Sequence, residues 1–598
     1  MHRRLTHSLP ALSLVIVMMP LTQAQTSAAK PHPSADKNEN IKAADAAFRA
    51  GSAAFQQNDL HTAHLQFAKL VRLAPQIAAG HAAFGTVLLA EGDPRTAADQ
   101  LEMARKLDPT DVNAALNLAL AYVQLRDNAR AITMFELVDQ AKQTLSPEST
   151  IAYAAALTAT SQPATAQSRL EQALATAPDN ASLHDALGSL FAQQERYNDA
   201  GSQFQLALKF NPSLASAHYH LGSLYLVQHD NTNAVAELMQ ANTNTKDNLG
   251  YMLQLGRALR VTNQDEQSVA VLQHALQLDS NSIDARYELA LSLQANSNAR
   301  EALPLFEQVA AARPKDSEIL INLGLALVQL GNAKRAIQFY LQALKFTPSS
   351  GTLREDLGVA YLQQSDLDHA IEQFRAGLVV EPNNPQLHYD LGLAFKLKDN
   401  VADAIPEFER AAKLDPQLPD PPYTLGVVYM QLGRFSEAEA ELEKATMLRP
   451  DNGDAWAMLG NVYKQNDNPQ KATASLQRAI ELRPDQPSPH ITLASILSQQ
   501  GDTAGAAAER KKAADLSRVA VNRQRANFAL DSGRLLLKRG QLSEAVAQFQ
   551  TAVAADPNYA EAHTALADAL AQQGRSADAA LERQQAQKLT QANSTSHP

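Results

Sequence analysis

The sequence contains no cysteine among its 598 residues. This absence excludes disulfide bridges, thiolate nucleophiles and metal sites with cysteine ligands. Aromatic residues make up only 5% of the chain, with a single tryptophan, so large rings cannot dominate the interior. No stretch beyond the N-terminal region is apolar for long enough to cross a bilayer. The formal net charge of −11 disfavours nucleic acid as a partner.

Motifs for catalysis are also missing. No glycine-rich phosphate loop is present, because almost half of the 24 glycines recur at one position of a repeat. No unrepeated block is long enough to form an α/β catalytic domain. We therefore expect a protein that is not an enzyme, with no catalytic residue, metal, cofactor or small-molecule substrate.

The N-terminus has the three parts of a secretory signal. Arg3 and Arg4 form a basic start, an apolar stretch follows, and small residues end at Ala24. The pattern predicts a signal peptide over 1–24 and a polar, flexible lead-in over 25–43. We expect an exported protein, periplasmic or secreted; the alternative is a protein anchored by an uncleaved N-terminal segment.

The rest of the chain repeats with a period of 34 residues, which indicates a repeat architecture. We predict one array over 44–520, an insertion over 521–525, and two final repeats with a C-terminal cap over 526–593. The sixteen repeats start at residues 44, 78, 112, 147, 181, 215, 249, 283, 317, 351, 385, 419, 453, 487, 526 and 560.

Small residues and prolines define the repeat. Position 8 is glycine in eleven repeats, and position 20 is alanine in fifteen, so two helices approach closely there. Position 15 is glycine in six repeats, which suits a left-handed turn, and position 32 is proline in eleven, which stops a helix. Each repeat therefore reads as helix A, a tight turn, helix B and a second turn.

The repeat starting at 453 shows the pattern most fully. It carries Trp456, Leu459, Gly460, Tyr463, Ala472, Ala479 and Pro484. The pattern resembles the tetratricopeptide repeat family over essentially the whole chain after residue 43. The resemblance implies an all-α fold, a right-handed superhelical solenoid of tandem helix-turn-helix repeats. It also implies a scaffold that binds partner proteins or peptides in a concave groove.

In that family, helix A lines the groove with positions 2, 5, 6, 9, 12 and 13. Tyrosine recurs here at position 5, and apolar residues hold position 9 in five consecutive repeats. Position 6 adds acceptors such as Glu288, Asp356 and Asp390. The alternative is that the tyrosines are structural. The predicted partner-binding residues are Tyr219, Tyr287, Asn322, Leu325, Val359, Tyr389, Leu393, Tyr423 and Val427.

A basic segment over 510–539 contrasts with the acidic chain. Nine basic residues against two acidic ones give it a charge of +7 (nine minus two). We expect a lengthened helix B over 503–525 that forms a joint before the last two repeats. The segment is either a solvated helix or a dock for anionic glycan or lipid head groups. The candidate residues are Arg510, Lys511, Lys512, Arg518, Arg523 and Arg525.

Three functions remain open from the sequence. The first is a protein-interaction scaffold in the cell envelope or outside the cell. The second is an accessory protein of envelope polysaccharide or outer-membrane assembly. A repeat protein associated with a glycosyltransferase is the third, and the lack of a catalytic block disfavours it.

Overall fold

The structure, a computed structural model, describes residues 35–595, with side chains over 40–591. Thirty-one α-helices and no strand occur within this range. The predicted signal peptide over 1–24 lies outside the described residues. The chain divides into two compact modules, an N-terminal module, Met1–Pro314, and a C-terminal module, Lys315–Pro598.

The described part of the N-terminal module holds sixteen helices, and consecutive helices from α1 to α16 pack against each other. They are α1 Ala35–Gln56, α2 Leu60–Leu73, α3 Ala78–Ala90, α4 Pro94–Leu107, α5 Val112–Gln124, α6 Asn128–Gln140, α7 Pro147–Ala159, α8 Pro163–Thr176, α9 Ala181–Gln193, α10 Tyr197–Phe210, α11 Ala215–Val227, α12 Asn231–Asn244, α13 Leu249–Val261, α14 Asp265–Leu278, α15 Ile283–Ala295 and α16 Ala299–Ala312.

The C-terminal module follows the same scheme. Its helices are α17 Ser317–Gln329, α18 Ala333–Leu344, α19 Gly351–Gln363, α20 Leu367–Val380, α21 Pro385–Leu397, α22 Val401–Leu414, α23 Asp420–Gln431, α24 Phe435–Leu448, α25 Gly453–Gln465, α26 Pro469–Leu482, α27 Pro487–Gln499, α28 Thr503–Lys538, α29 Leu542–Ala555, α30 Ala560–Gln572 and α31 Ser576–Thr595. None of the helices within 35–595 combines the length and the apolar character that a membrane crossing requires.

Most helices A begin at the predicted repeat start, as α3 does at Ala78 and α21 at Pro385. The first repeat is the main exception, since α1 begins at Ala35 and the predicted lead-in over 25–43 is therefore helical from that residue on. The segment from 35 to the first glycine, Gly51, contains no proline and is rich in alanine, so nothing stops a helix there.

Close packing at positions 8 and 20 confirms the predicted contact between helices A and B. A Cβ on Gly358 would lie 2.4 Å from Cε1 of Phe374, so only glycine leaves room for the buried ring. Ala370, at position 20, is fully buried. Ser268 is the one polar residue at that position, and its hydroxyl donates to the Gly256 carbonyl at 2.6 Å.

The turn between helices A and B is left-handed at position 15 in all sixteen repeats. Gly501 has φ +85° and Arg126 has φ 59°. Glycine adopts this conformation without a steric cost, whereas other residues pay for it. The prediction of a left-handed turn is thus confirmed, and it extends to repeats that lack the glycine.

Helix α28 is one continuous helix of 36 residues. It combines helix B of repeat 14, the insertion over 521–525 and helix A of repeat 15. The lengthened helix is confirmed, but the predicted joint is wrong. No glycine or proline lies between Gly505 and Gly533, so the chain has no residue that would interrupt the helix there.

Candidate partner-binding faces

The C-terminal module presents an apolar strip on its helices A. We call Leu325, Val359, Leu393 and Val427 the C-terminal strip; they lie at position 9 of α17, α19, α21 and α23 and are half-buried. Helices α17 and α19 pack side by side, as do α19 and α21. The strip therefore runs across consecutive repeats, with part of each side chain open to contact. Asn322 is half-buried on α17.

The tyrosines at position 5 of this module are partly structural. The Tyr389 ring lies 5.6 Å from the Phe408 ring, and its hydroxyl lies 3.2 Å from the Thr424 hydroxyl. Tyr423 is also half-buried and packs against the same core. Burial raises the pKa of both phenols. These rings therefore support the helices beneath the strip as well as bordering it.

The N-terminal module buries its tyrosines further. Tyr287 is only 5% exposed and lies edge-on to Phe306, with ring centroids 6.2 Å apart. Its predicted role as an accessible groove residue is therefore wrong, because the ring fills the space between helices A and B. Tyr219 remains half-buried and packs on Tyr251 at 4.8 Å.

Three carboxyl groups lie among the C-terminal helices A without a neighbouring cation. Glu355 and Asp356 are half-buried on α19, and Asp390 on α21 is 6% exposed. Burial, with the charges of Asp390, Asp356 and Glu381, raises the pKa of Glu355 to about 7. Burial raises the pKa of Asp356 and of Asp390 to about 6.

Within the described chain, none of these three carboxylates has an ion-pair partner. The one hydrogen bond to them comes from Gln386, whose side-chain amide donates to Asp390 Oδ1 at 3.0 Å. Asp356 and Asp390 are predicted from the sequence only as acceptors, and Glu355 is not predicted. The available signal was the glutamate at position 5 of repeat 10, where other repeats carry tyrosine.

The N-terminal module neutralises a carboxylate at the same repeat position. Glu288, at position 6 of α15, is 4% exposed. Arg257 Nε lies 3.1 Å from Glu288 Oε1, and Arg260 Nη2 lies 3.4 Å from Oε2. Both arginines come from α13, the helix A of the preceding repeat. A buried carboxylate in this face is therefore covered by two guanidinium groups.

The residues at repeat positions 9 and 12 explain why Glu288 has counter-ions and why Asp356 and Asp390 have none. Arg257 and Arg260 occupy positions 9 and 12 of repeat 7. The same two positions before Asp390 are held by Val359 and Leu362. Before Asp356 they are held by Leu325 and Val328. Repeats 9 and 10 thus place apolar side chains where repeat 7 places arginines.

The basic segment on α28 is only partly available to a partner. Lys512 pairs with Glu509 and Arg518 with Asp515, each at 2.9 Å. Arg523 forms an ion pair with Asp556, and its guanidinium lies 4.4 Å from the centre of the Tyr559 ring. Arg523 therefore fastens α28 to the turn before α30, and its part in binding an anionic partner stays a prediction.

Three other candidate cations of α28 are exposed, and the same helix carries exposed apolar side chains. Arg510, Lys511 and Arg525 are exposed and form no ion pair with any described residue. Phe528 is 79% exposed, and Val521 and Leu535 lie seven residues to either side of it. Since seven residues span almost two helical turns, these apolar side chains share one face of α28. We call this set the α28 basic face.

Other candidate sites are less developed. A cleft of about 490 Å³ in the C-terminal module is bordered by the ion pair of Asp368 and Lys398 and by Arg375, which lies over the Phe395 ring. Over the described residues, no group of three or more histidine or acidic side chains is arranged to hold a metal ion.

Comparison with known proteins identifies the family. The signature described as "Tetratricopeptide repeat" matches residues 82–144, 154–215, 186–248, 287–351, 355–419, 397–462 and 453–486, and one described as "TPR repeat" matches 533–574. Together these matches cover more than half of the chain. The chain belongs to the tetratricopeptide repeat family.

Solved structures of similar proteins include three with these descriptions. The APC/C hetero-tetramer Cut9–Hcn1 has 15% identity and a TM-score of 0.36, over 76% of this chain and 96% of that chain. YrrB, a TPR protein with an unusual peptide-binding site, has 25% identity and a TM-score of 0.27, over 31% and 95%. MamA from Desulfovibrio magneticus RS-1 has 23% identity and a TM-score of 0.27, over 28% and 95%. None of the curated proteins matches the sequence significantly.

Proposed function

We propose that this protein is an exported, non-catalytic scaffold that binds segments of partner proteins on the helix-A face of its C-terminal module. The observation that carries the proposal is the C-terminal strip, whose four apolar side chains recur at one repeat position and stay half-buried. Burying such a strip favours association by about 25 cal/mol per Å² of apolar surface. An extended or helical segment suits a linear row of this kind.

Peptide binding tests this proposal. An array of random peptides of about twelve residues is probed with the full chain after residue 24, and binders are titrated by fluorescence polarisation. The variant Leu325→Ser with Val427→Ser should weaken binding at least about tenfold, about 1.4 kcal/mol, because it makes both ends of the strip polar. Equal affinity of the two proteins for all selected peptides would sink the proposal.

Aromatic truncation is a less direct test. The variant Tyr389→Ala with Tyr423→Ala should also weaken binding, but Tyr389 contacts Phe408 and Thr424 and so affects stability as well. The strip variant should leave the helical circular dichroism unchanged, which separates a binding defect from a folding defect.

Export rests on the pattern over 1–24. Expressed in a Gram-negative host, the chain should leave the cytoplasm and start at Gln25. Intact Met1 in the membrane fraction would favour the anchored alternative. Intact Met1 on cytoplasmic protein would contradict export.

A second candidate function, an accessory role in envelope polysaccharide or outer-membrane assembly, is favoured by the α28 basic face. Its cation Arg525 lies three residues before the exposed Phe528 on the same helix, and Arg510 and Lys511 are exposed nearer the start of that helix. Binding to an acidic polysaccharide or to vesicles with anionic lipid should fade as salt shortens the Debye length. The variant Arg510→Gln, Lys511→Gln, Arg525→Gln should abolish that binding, whereas peptide binding at the strip should be unaffected.

A further inference from the structure

The starting observation is an unbalanced group of charges within the C-terminal helix-A face. Glu355 and Asp356 are half-buried on α19, Asp390 is 6% exposed on the adjacent α21, and none of the three has an ion-pair partner among the described residues. The charges of Asp390 and Asp356 add to burial in raising the pKa of Glu355. Burying a carboxylate without a counter-ion costs free energy. A chain that retains three such groups beside an apolar strip has a surface that is complementary to a cation.

The same chain shows what completes such a site. Glu288 sits at the repeat position of Asp356 and Asp390, and Arg257 and Arg260 cover it. The arginine side chains remain accessible from outside; that of Arg257 is 47% exposed while that of Glu288 is 6% exposed. A guanidinium group therefore reaches this position from the open side of helix A.

We infer that the partner segment places an arginine or lysine side chain over Glu355, Asp356 and Asp390, in the place that Arg257 and Arg260 take beside Glu288. Apolar residues of the same segment lie against Leu325 and Val427. This inference rests on the proposed function, since it names the chemistry of the segment that the C-terminal strip binds.

Arginine should be preferred to lysine. Its planar guanidinium group presents several donors at once and pairs with carboxylates in a bidentate manner, whereas lysine offers a compact charge. It is also less strongly hydrated, so it loses less on entering a half-buried site. Carboxylates on the two helices α19 and α21 can accept hydrogen bonds from two edges of one guanidinium group.

The test uses peptides of about twelve residues that differ at one central position only, where arginine, lysine, citrulline or glutamate stands among leucine, valine and serine. Citrulline keeps the shape of arginine without its charge. With the full chain we expect affinity in the order arginine, lysine, citrulline, glutamate. Arginine should exceed citrulline by at least about tenfold.

Neutralising variants assign that preference to the three carboxylates. Glu355→Gln, Asp356→Asn, Asp390→Asn should remove the difference between arginine and citrulline peptides. The matched control, Glu372→Gln, Asp399→Asn, Asp451→Asn, changes the net charge equally at exposed positions of the same module and should preserve the difference. The first variant should fold, because it removes charges that burial disfavours.

A second variant places two arginines of the chain itself on α19, beside Asp390. Val359→Arg with Leu362→Arg copies the arrangement of repeat 7 before Asp390. Because Val359 belongs to the C-terminal strip, this variant should weaken binding of all the peptides, so the measurement is the ratio of arginine to citrulline affinities. That ratio should fall toward equality as the new guanidinium groups pair with Asp390, which gives an independent answer if the neutralising variant is unstable.

The outcomes separate the two proposals. Loss of the arginine preference in the neutralising variant, with retention in the control, supports the inference. Binding that depends on Leu325 and Val427 but shows no preference for arginine overturns the inference and leaves the proposed function standing. Absence of any binding that depends on Leu325 and Val427 overturns both.

Discussion

The two modules use the same repeat position in opposite ways. In the N-terminal module, Glu288 is held by Arg257 and Arg260 from the preceding repeat. In the C-terminal module, Asp356 and Asp390 follow repeats that carry apolar residues at the corresponding positions. The packing of helices A and B is alike in both, so the difference lies in the side chains on the outer side of helix A. One face is closed by internal ion pairs, while the other has carboxylates without a counter-ion.

This difference teaches that a repeat framework separates stability from recognition. Positions 8 and 20, between helices A and B, are small in both modules. Positions 6, 9 and 12 of helix A change between charged and apolar residues from one repeat to another. A repeat protein can therefore change what it binds without changing how it folds.

The largest effect on stability should follow from removing the two arginines that cover Glu288. Arg257→Val with Arg260→Leu leaves Glu288 buried without a cation and should cost about 2–4 kcal/mol. Hydrogen exchange of the amides in α13 and α15 measures the loss locally. Adding Glu288→Gln should recover most of it, because the unpaired charge is then gone. Unchanged protection in the double variant would show that the ion pairs contribute nothing.

Placing arginines at the corresponding positions before Asp390 should have a smaller effect on stability, of opposite sign. Val359→Arg with Leu362→Arg should stabilise α19 and α21 by about 1 kcal/mol through pairing with Asp390, after the loss of apolar contacts is deducted. The readout is again hydrogen exchange, here in the C-terminal module. A destabilised module would mean that the guanidinium groups do not reach the carboxylates in this geometry.

The stability of the C-terminal module should depend on pH. Because the folded pKa values of Glu355, Asp356 and Asp390 lie above their ordinary values, the folded state binds more protons than the unfolded state between about pH 4 and 7. The contribution of these three groups to stability should therefore increase as the pH falls from about 7.5 to about 5.

The neutralising variant Glu355→Gln, Asp356→Asn, Asp390→Asn isolates this contribution from the other carboxylates, many of which act in the opposite direction. It should melt at a higher temperature than the parent at about pH 7.5, and the gap should narrow at about pH 5. A gap that widens on acidification would contradict the assignment of raised pKa values.

The smallest expected effect concerns the single hydrogen bond to the open carboxylates. Gln386 donates to Asp390 and lowers the pKa of that carboxyl against the larger opposing effect of burial. Gln386→Ala should cost about 0.5–1.5 kcal/mol at about pH 7.5 and little at about pH 5, where Asp390 is protonated. Hydrogen exchange of α21 at the two pH values provides the comparison. A loss of equal size at both would show that the bond does not depend on ionised Asp390.

The repeat boundaries and the contact between helices A and B follow from the sequence because steric rules dictate them. Gly358 and Ala370 are small where two backbones meet, and proline ends helix B, so period and residue size suffice. The burial of Tyr287 is not predicted, because periodicity identifies the side of the helix on which a residue lies but not how deeply its side chain is buried. A large ring at position 5 also reaches between helices A and B.

The sequence predicts two of the three carboxylates without a counter-ion, but not their lack of a counter-ion. Asp356 and Asp390 are visible as acceptors, but whether they are neutralised depends on residues in the preceding repeat. Arg257 and Arg260 precede Glu288 by 31 and 28 residues. That spacing can be searched for in the sequence once the structure has shown which repeat positions meet. The continuity of α28 follows from the absence of glycine and proline between Gly505 and Gly533, a run that includes the insertion over 521–525.

The continuity of helix α28 affects how the repeats unfold. In a linear array, each repeat contacts only its neighbours, and terminal repeats tend to fray first. Repeats 14 and 15 share one backbone rod of 36 residues, roughly 54 Å at 1.5 Å per residue, so neither can melt without bending or shortening a helix that belongs to the other. We therefore expect repeats 14 and 15 to unfold together in one cooperative step instead of one repeat at a time.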